Sequence, residues 1–279
     1  MTIRATIAQA KRRLQQADVP DAEHDAWQLL AHVCQREALM LRVAQDETLS
    51  PAQVDAFLRL IALRAQRIPL QHLEGRAWFM GRAFHVSPDV LIPRQDTEVL
   101  CEEALRRLPP GGRVIEIGTG SGILAITLAL EQPDAQVVAL DISEPALAIA
   151  RGNARRLGAK VDFLKSDCFS AVPSAKVHLI LSNPPYISAE EMRGLMPEVR
   201  QDPELALYGG VDGLDFYRRI TKEAPEHLLD GGVLLFEIGW TQKEAVSALV
   251  RQALGNSFAL RDWSGHWRVV GGVSHKRGF

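Results

Sequence analysis

The chain has 279 residues, of which 47% are hydrophobic and 24% charged, so it has room for about two domains and is neither disordered nor collagen-like. Its 32 Lys and Arg residues against 34 Asp and Glu give a formal charge of −2, which provides no general field for nucleic acid or an acidic membrane. The three cysteines contain no CxxC pair and encode neither a disulfide framework nor a zinc knuckle, so we expect a protein of the reducing cytoplasm. No run approaches the ~18 apolar residues of a membrane span.

Residues 1–70 carry only helical signals and predict a small helical bundle. Apolar residues recur at helical spacing from 3 to 14, a second helix opens at Pro20-Asp21, and Ser50-Pro51 caps another. The basic, acid-free first residues also suggest an organelle transit peptide, but the helical spacing favours an amphipathic helix with a solvated basic face. Nine Lys and Arg balance nine Asp and Glu between residues 1 and 74, which argues against a nucleic-acid-binding arm.

Residues 71–94 form the predicted linker between this bundle and the rest of the chain. The segment is punctuated by Gly, Pro and aromatic residues, and 77–80 and 83–86 flank Gly81 in the manner of a short β-hairpin. The predicted domains are therefore 1–70, the hairpin linker 71–94, and 95–279.

From residue 95 onward strands and helices alternate, which predicts an α/β fold with a mostly parallel, seven-stranded sheet and helices on both faces. Ligands of such sheets bind beyond the carboxyl ends of the strands. The predicted strands are 113–117, 136–140, 161–164, 177–181, 232–238, 258–261 and 267–270. The predicted helices are 97–108, 144–157, 215–229 and two that begin at 122 and 242.

A glycine-rich turn follows the first of these strands and opens the next helix. Its alternating glycines let a ligand approach the backbone closely. Asp141 ends the second strand 19 residues beyond the turn, where a carboxylate accepts hydrogen bonds from both hydroxyls of a ribose. Together they predict an adenosine-containing ligand, with NAD and S-adenosylmethionine both open. The turn consists of Gly118, Thr119, Gly120, Ser121 and Gly122.

The spacing of the glycines helps to separate these two ligands. The turn runs G-x-G-x-G, and Ile123 stands where the dinucleotide fingerprint has its third glycine. Preceded by Glu116, the pattern resembles the first motif of class I S-adenosylmethionine-dependent methyltransferases, which implies S-adenosylmethionine as the methyl donor and S-adenosylhomocysteine as the product. The resemblance also places Asp167 near the adenine amine, while its sequence context equally favours a turn or a helix cap.

The fourth strand runs into the loop Asn183-Pro184-Pro185-Tyr186. Two prolines remove two backbone donors and stiffen the loop, so its backbone presents carbonyls. A planar NH2 group entering it can donate one hydrogen to the Asn183 side-chain oxygen and the other to the Pro184 carbonyl, which aims its nitrogen at a methyl group on sulfur. Tyr186 can pack on the flat group and face the sulfonium charge. The alternative is a rigid loop in which Asn183 caps its own turn.

In this position the loop resembles the N/D-P-P-Y/F signature of methyltransferases that modify planar amino groups: glutamine amides, adenine N6, cytosine N4 or guanine N2. No general base is required, because the attacking nitrogen becomes acidic and releases its proton to water. The eight histidines show no metal-ligand spacing, so we expect no metal.

Residues 90–98, VLIPRQDTE, and residues 206–214, ALYGGVDGL, narrow the resemblance. Together with the loop at 183–186 and the helical N-terminal region, they make essentially the whole chain similar to the PrmC/HemK family, the peptide chain release factor glutamine N5-methyltransferases. The implied fold is the class I, Rossmann-like methyltransferase sheet with an N-terminal helical bundle. The implied partners are bacterial class I peptide chain release factors, recognised by residues 1–70, with no direct nucleic-acid or membrane binding and a monomeric enzyme.

The resemblance also implies roles for single residues. Residues 118–122, Asp141, Asp167, Cys168 and Asn183 hold the donor. The glutamine of the Gly-Gly-Gln loop is held by Asn183, Pro184, Pro185 and Tyr186, and of these Asn183, Pro184 and Tyr186 are catalytic.

Three positions depart from the family's pattern. Gln95 replaces the usual proline. Cys168 stands where some members have a tryptophan beside the adenine, which leaves Phe169 as the compensating ring. Residues 264–268 depart from the usual Asp-Arg pairing.

Two rival functions stay open. An amino-methyltransferase of RNA or DNA is opposed by the missing basic patch and the 91–98 segment, and a non-catalytic scaffold is opposed by the intact Asn183 and glycines.

Overall fold

A computed structural model of the protein describes residues 1–275. The chain divides into two compact units. The first comprises Met1–Arg76 together with Met196–Gln201, and the second comprises Ala77–Leu195 together with the chain from residue 202 onward. In the part of the chain that the structure describes, no helix combines the length and the apolar character needed to cross a bilayer.

The first unit is the expected helical bundle. Its apolar stripes meet in one core, to which the first helix contributes Ile3, Ile7, Ala10 and Leu14, as their spacing predicts. The helix that opens at Ser50 has a capping box with Gln53. The helices are α1 (Ile3–Gln16), α2 (Ala22–Cys34), α3 (Ala38–Val43), α4 (Pro51–Arg64) and α5 (Leu70–Glu74).

An ion-pair network ties the segment 196–201 into the helical unit. Arg64 Nε lies 2.7 Å from the buried Asp25 carboxylate, and its Nη2 lies 3.0 Å from Glu198. Arg67 makes a further pair with Glu198. Buried charges need such partners, so this short stretch groups with the helices although it is distant from them in sequence.

The expected hairpin is present as β1 (Arg76–Phe79) and β2 (Arg82–His85). Phe79 and Phe84 are fully buried in a core shared with the helices and strands of the second unit. Because these two rings anchor the hairpin there, and residues 71–76 group with the bundle, the segment 71–94 does not form a unit of its own.

The second unit is an α/β sheet of seven strands in the order β5-β4-β3-β6-β7-β9-β8. Strands β3 to β7 run parallel to one another, while β9 is antiparallel to both β7 and β8. The strands are β3 (Arg113–Ile117), β4 (Gln136–Asp141), β5 (Asp162–Lys165), β6 (Val177–Ser182), β7 (Leu228–Glu237), β8 (Phe258–Arg261) and β9 (Trp267–Val273). The helices are α6 (Thr97–Arg107), α7 (Ile123–Glu131), α8 (Glu144–Leu157), α9 (Glu204–Leu207), α10 (Asp215–His227) and α11 (Lys243–Leu254).

Alternate residues of the central strands enter two different cores, one on each face of the sheet. In β3, Val114 packs with α6, α7 and α8, whereas Ile115 and Ile117 pack with α10 and α11. The predicted two-faced, mostly parallel sheet is therefore confirmed. The strand order reverses between β3 and β6, which is where open α/β sheets bind their ligands.

Three short helices have no counterpart in the sequence prediction. They are α3, α5 and α9, with four to six residues each, too short to show a helical repeat. Strand β7 begins four residues before the predicted start at 232, because Leu228 pairs with Val177 ahead of an irregularity in the register.

Candidate active site

A cavity of about 350 Å³ opens beyond the carboxyl ends of β3, β4 and β6. This volume is in the range of small-molecule sites, roughly 300–1,000 Å³. Most of the predicted site residues line it, namely Gly118, Thr119, Gly120, Ser121, Asp141, Asp167, Cys168, Asn183, Pro184 and Pro185.

The glycine turn forms one wall with its backbone. Gly118 and Gly120 have φ values of +75° and +55°, the left-handed region that favours glycine. The amides of Gly118 and Thr119 both donate to the Leu140 carbonyl, which fixes the turn to the end of β4. A side chain at Gly120 would meet nothing within 4 Å, so the space above this backbone is open to a ligand.

Gly122 differs from the other two glycines of the turn. It does not line the cavity, and a Cβ there would lie 2.7 Å from the Ile126 side chain and 3.1 Å from Ala150 Cβ. Like the other two it has a left-handed backbone, with φ +86°, so both this conformation and the close packing of α7 against α8 favour glycine here.

Asp141 lies next to the glycine turn, as the sequence predicts. Its Oδ2 accepts a hydrogen bond from the Gly120 amide at 2.8 Å, and its Oδ1 accepts one from the Ser143 amide at 2.9 Å. Burial raises the pKa of Asp141, and these amide donors oppose the shift. Each oxygen keeps a lone pair for a further donor, so the carboxylate is suited to the two hydroxyls of a ribose.

The three residues Asp167, Cys168 and Phe169, which follow β5, have different surroundings and do not all line the cavity. Asp167 Oδ1 lies 2.7 Å from Arg219 Nη2, so part of its acceptor capacity already serves an ion pair. Cys168 lines the cavity in a left-handed backbone conformation, with φ +48°. Phe169 is fully buried and stacks on His227 at 4.2 Å, so its ring does not compensate for the tryptophan that some family members have at the position of Cys168.

The Asn183-Pro184-Pro185-Tyr186 loop leaves the end of β6, beside β3. Ser182 Oγ donates to the Ile117 carbonyl at 2.7 Å and fastens the two strand ends together. The Asn183 carboxamide faces the cavity lining, and its Nδ2 donates to Thr97 Oγ1 at 3.4 Å. Tyr186 does not line the cavity in this conformation, because its ring packs against the core beneath the loop.

Distant segments hold the far end of this loop in place. Gln242 Nε2 donates to the Tyr186 carbonyl at 2.9 Å, and the Ile187 amide donates to the Leu207 carbonyl at 2.9 Å. A Cβ at Gly209 would lie 2.6 Å from the Pro185 carbonyl oxygen, so only glycine permits this contact. The 206–214 segment therefore serves as the backing of the loop.

Residues 90–98 brace the cavity from another side. Arg94 Nη2 lies 2.8 Å from Asp202 Oδ2, and the Ile92 amide donates to Asp202 Oδ1 at 3.4 Å. Asp202 directly precedes Pro203, Leu205 and Ala206, which line the cavity. Gln95, which replaces the family's usual proline, is exposed just before α6, and the contacts of Asp202 are in place despite this replacement.

Two buried acids lie at the site: Glu116, which the sequence analysis noted beside the glycine turn, and Glu237, which it did not single out. Glu116 Oε2 accepts from Thr119 Oγ1 at 2.6 Å and from the Ala125 amide at 3.1 Å, and burial raises its pKa to about 8. Glu237 ends β7 next to the loop, and burial raises its pKa to about 7. An acid at the carboxyl end of a predicted strand was the available signal, because such ends converge on the ligand site.

The arrangement fits an adenosine-containing ligand. It offers an open glycine backbone, a ribose-type acceptor and a largely apolar cavity, and it continues into a loop that can accept hydrogen bonds from a planar amino group. Within residues 1–275, no group of three or more His, Cys, Asp or Glu side chains is arranged to hold a metal ion.

Two protein families match separate parts of the chain. Residues 95–198 match the methyltransferase small domain, and residues 5–75 match the PrmC N-terminal domain. The first match covers strands β3 to β6 of the sheet, and the second covers the helical bundle.

Similar proteins extend over nearly the whole chain. The chain is 42% identical to the release factor glutamine methyltransferase of Geobacter sulfurreducens, covering 97% of this chain and 96% of that protein. It is 45% identical to the release factor glutamine methyltransferase of Cereibacter sphaeroides, covering 92% and 93%.

Solved structures share the sheet fold. A methyltransferase from Pyrococcus furiosus aligns with a TM-score of 0.53 at 20% identity, over 71% of this chain and 91% of that one. The 16S rRNA N2 G1207 methyltransferase of T. thermophilus aligns with a TM-score of 0.53 at 21% identity, over 72% and 50%. At this identity the likeness concerns the fold.

Proposed function

The chain belongs to the release factor glutamine methyltransferase family, and from this premise we propose that it transfers a methyl group from S-adenosylmethionine to the side-chain amide nitrogen of a glutamine in a bacterial class I release factor. The observation that carries the proposal is that one cavity is lined by the glycine turn with Asp141 and also by Asn183-Pro184. Donor and acceptor groups can therefore meet in one place.

The glycine turn and Asp141 hold the donor. The backbone of Gly118 and Gly120 forms a wall without side chains, against which the ligand lies, and the Asp141 carboxylate accepts hydrogen bonds from the ribose. S-adenosylmethionine, when bound, supplies a methyl group on a positively charged sulfur, and as the new C–N bond forms the C–S bond breaks with its electrons going to sulfur.

The Asn183 loop holds the glutamine. Asn183 Oδ1 and the Pro184 carbonyl each accept one hydrogen of the substrate amide, which directs the nitrogen lone pair toward the methyl group. The nitrogen then releases one proton to water. Catalysis is mainly orientation, since a well-aligned intramolecular geometry is worth roughly 7–11 kcal/mol of the barrier. Tyr186 packs against the core beneath the loop and so supports the backbone from which Asn183 and Pro184 are presented.

The helical unit binds the release factor. A glutamine side chain alone offers little binding energy, so contacts elsewhere on the partner must supply most of the affinity. Helix α3 exposes Leu39, Met40 and Val43, with 72%, 57% and 79% of their surfaces accessible. Such a cluster suits a protein partner better than the phosphate backbone of a nucleic acid. We place the enzyme, as a monomer, in the cytoplasm where release factors act.

The experiment that tests the proposal is the transfer of labelled methyl from S-adenosylmethionine to three purified recipients. They are a bacterial release factor, the same factor with the glutamine of its Gly-Gly-Gln loop replaced by alanine, and bulk RNA with DNA. We expect label on the intact factor alone. Label on nucleic acid with none on the factor would move the substrate to base amino groups and contradict the proposal.

A further inference from the structure

A buried carboxylate lies directly behind Asn183. Glu237 is the last residue of β7. The register of β6 with β7 pairs Ser182 with Phe236, so Asn183, which follows the end of β6, comes one residue after that pair, as Glu237 does on β7. Glu237 is only 1% exposed. Its Oε2 has no hydrogen-bond partner within the described residues, which is costly for a buried acid and calls for an explanation.

Asn183 and Glu237 have a buried neighbour in common, Thr97. Asn183 Nδ2 donates to Thr97 Oγ1 at 3.4 Å, and hydrogen bonding from Thr97 and Asn183 lowers the pKa of Glu237 against the rise that burial causes. Thr97 is itself 1% exposed, so no solvent competes there. An ionised carboxylate only accepts hydrogen bonds, whereas an asparagine amide has a donor side and an acceptor side. The NH2 group of Asn183 faces Thr97, and an ionised Glu237 beside them favours the same orientation.

The orientation of the Asn183 amide decides which of its atoms faces the substrate. With its NH2 group turned inward, Asn183 presents Oδ1 to the cavity, where the NH2 group of a glutamine amide needs an acceptor. The reverse orientation would place two NH2 groups opposite each other with no acceptor between them. We propose, on the basis of the function proposed above, that Glu237 is a positioning residue for methyl transfer, which holds the Asn183 amide in the one orientation that accepts the substrate.

The charge state of Glu237 is set by groups on four neighbouring segments. Burial raises its pKa to about 7, the hydrogen bonds from Thr97 and Asn183 and the charge of Arg268 oppose that shift, and the charge of Asp96 adds to it. The phenols of Tyr186 and Tyr217 also face it. Protonated Glu237 carries an O–H donor, which can be satisfied by Asn183 Oδ1 and then turns the amide over. Activity should accordingly rise with pH through about 7.

The test compares Glu237→Gln with Glu103→Gln. Glu103 is a buried acid on α6 that pairs with Arg107 away from the cavity, so it controls for the loss of a buried charge. We expect Glu237→Gln to lower kcat for release factor methylation about tenfold, with KM and donor affinity changed less than about threefold, and to remove the rise in activity near pH 7. The melting temperature should not fall, since the variant removes a buried charge. A kcat within about twofold of the wild type together with an unchanged pH profile would overturn the proposal.

A second variant and a substrate-free measurement keep the test decisive. Thr97→Val removes the hydroxyl that accepts a hydrogen bond from Asn183 and leaves Glu237 in place. We expect kcat to fall about threefold in this variant. In 15N-labelled protein without substrate, the side-chain NH2 signals of Asn183, assigned with Asn183→Asp, should shift with pH through about 7 in the wild type but not in Glu237→Gln. If the wild type does not methylate a release factor, the proposed function is wrong. The coupling of Glu237 to Asn183 is tested separately by the NH2 signals, and it is wrong if they do not shift with pH in the wild type.

Discussion

The two ends of the cavity are built in different ways. The proposed donor end consists of consecutive residues, 118–121, whose backbone forms the wall, together with one side chain from the neighbouring strand, Asp141. The proposed acceptor end consists of a loop that is contacted from outside by the 206–214 segment, Gln242 and Thr97. Changes at the donor end should therefore act on donor affinity, and changes around the acceptor end should act on the rate.

The largest effect is expected at the acceptor itself. Asn183→Ala removes the side-chain oxygen that orients the substrate amide, and losing one such group typically costs about 100- to 1,000-fold in kcat. Donor affinity, measured by calorimetry on the same sample, should stay within about threefold of the wild type. A variant that keeps most of its activity would contradict the role given to this side chain.

The opposite pattern is expected at the donor end. Asp141→Ala removes hydrogen bonds to a charged group, each worth about 1.5–3 kcal/mol, so the donor Kd should rise about 100-fold. At saturating donor the rate should be mostly recovered. Asp162→Ala, on the exposed start of β5, is the matched control and should leave the donor Kd unchanged. If Asp141→Ala lost rate at saturating donor as strongly as it lost donor affinity, the proposed difference between the two ends of the cavity would be wrong.

A smaller effect is expected where the acceptor loop is backed by the chain. In Gly209→Ala the new Cβ lies 2.6 Å from the Pro185 carbonyl oxygen and 2.8 Å from Tyr186 Cα, so the loop must shift. We expect kcat to fall about tenfold, because a displacement on the scale of an ångström spoils the alignment. Gly152→Ala on α8, where a Cβ meets nothing within 4 Å, should have the wild-type kcat.

The smallest effect is expected on the helical unit. Leu39→Ser combined with Val43→Ser should raise the KM for the release factor about three- to tenfold, because peripheral apolar contacts with the partner are lost. Neither the donor Kd nor kcat should change. Leu164→Ser, at another exposed apolar position, serves as the control, and a KM change of the same size there would remove the case for α3 as the docking surface.

The donor end could be predicted from the sequence because its geometry is local. The glycine turn lies between a predicted strand and a predicted helix, and the distance to Asp141 follows from one βαβ unit, so the sequence predicts that the turn and Asp141 lie side by side, as they do in the structure. Strand β3 and helix α8 were predicted to the residue, since their apolar patterns and caps are unambiguous.

The acceptor end could be predicted only in part. The Asn183-Pro184-Pro185-Tyr186 loop was recognisable, but the position of Tyr186 against the core, the role of Gly122 in helix packing and the Asp167–Arg219 pair depend on contacts between distant segments. Glu237 was missed for the same reason: its importance comes from the pairing of β6 with β7, which no local pattern encodes. Phe169 was given the wrong surroundings, because His227 supplies the stacking partner from α10.

The central claim is that the Asn183 loop presents one glutamine amide to the methyl donor. The most direct measurement is fragment mass spectrometry of a release factor after incubation with S-adenosylmethionine and either the wild-type enzyme or Asn183→Ala. The account predicts one added methyl group on the glutamine of the Gly-Gly-Gln loop with the wild type, and none with the variant. A methyl group on another residue, or equal modification by both proteins, would contradict it.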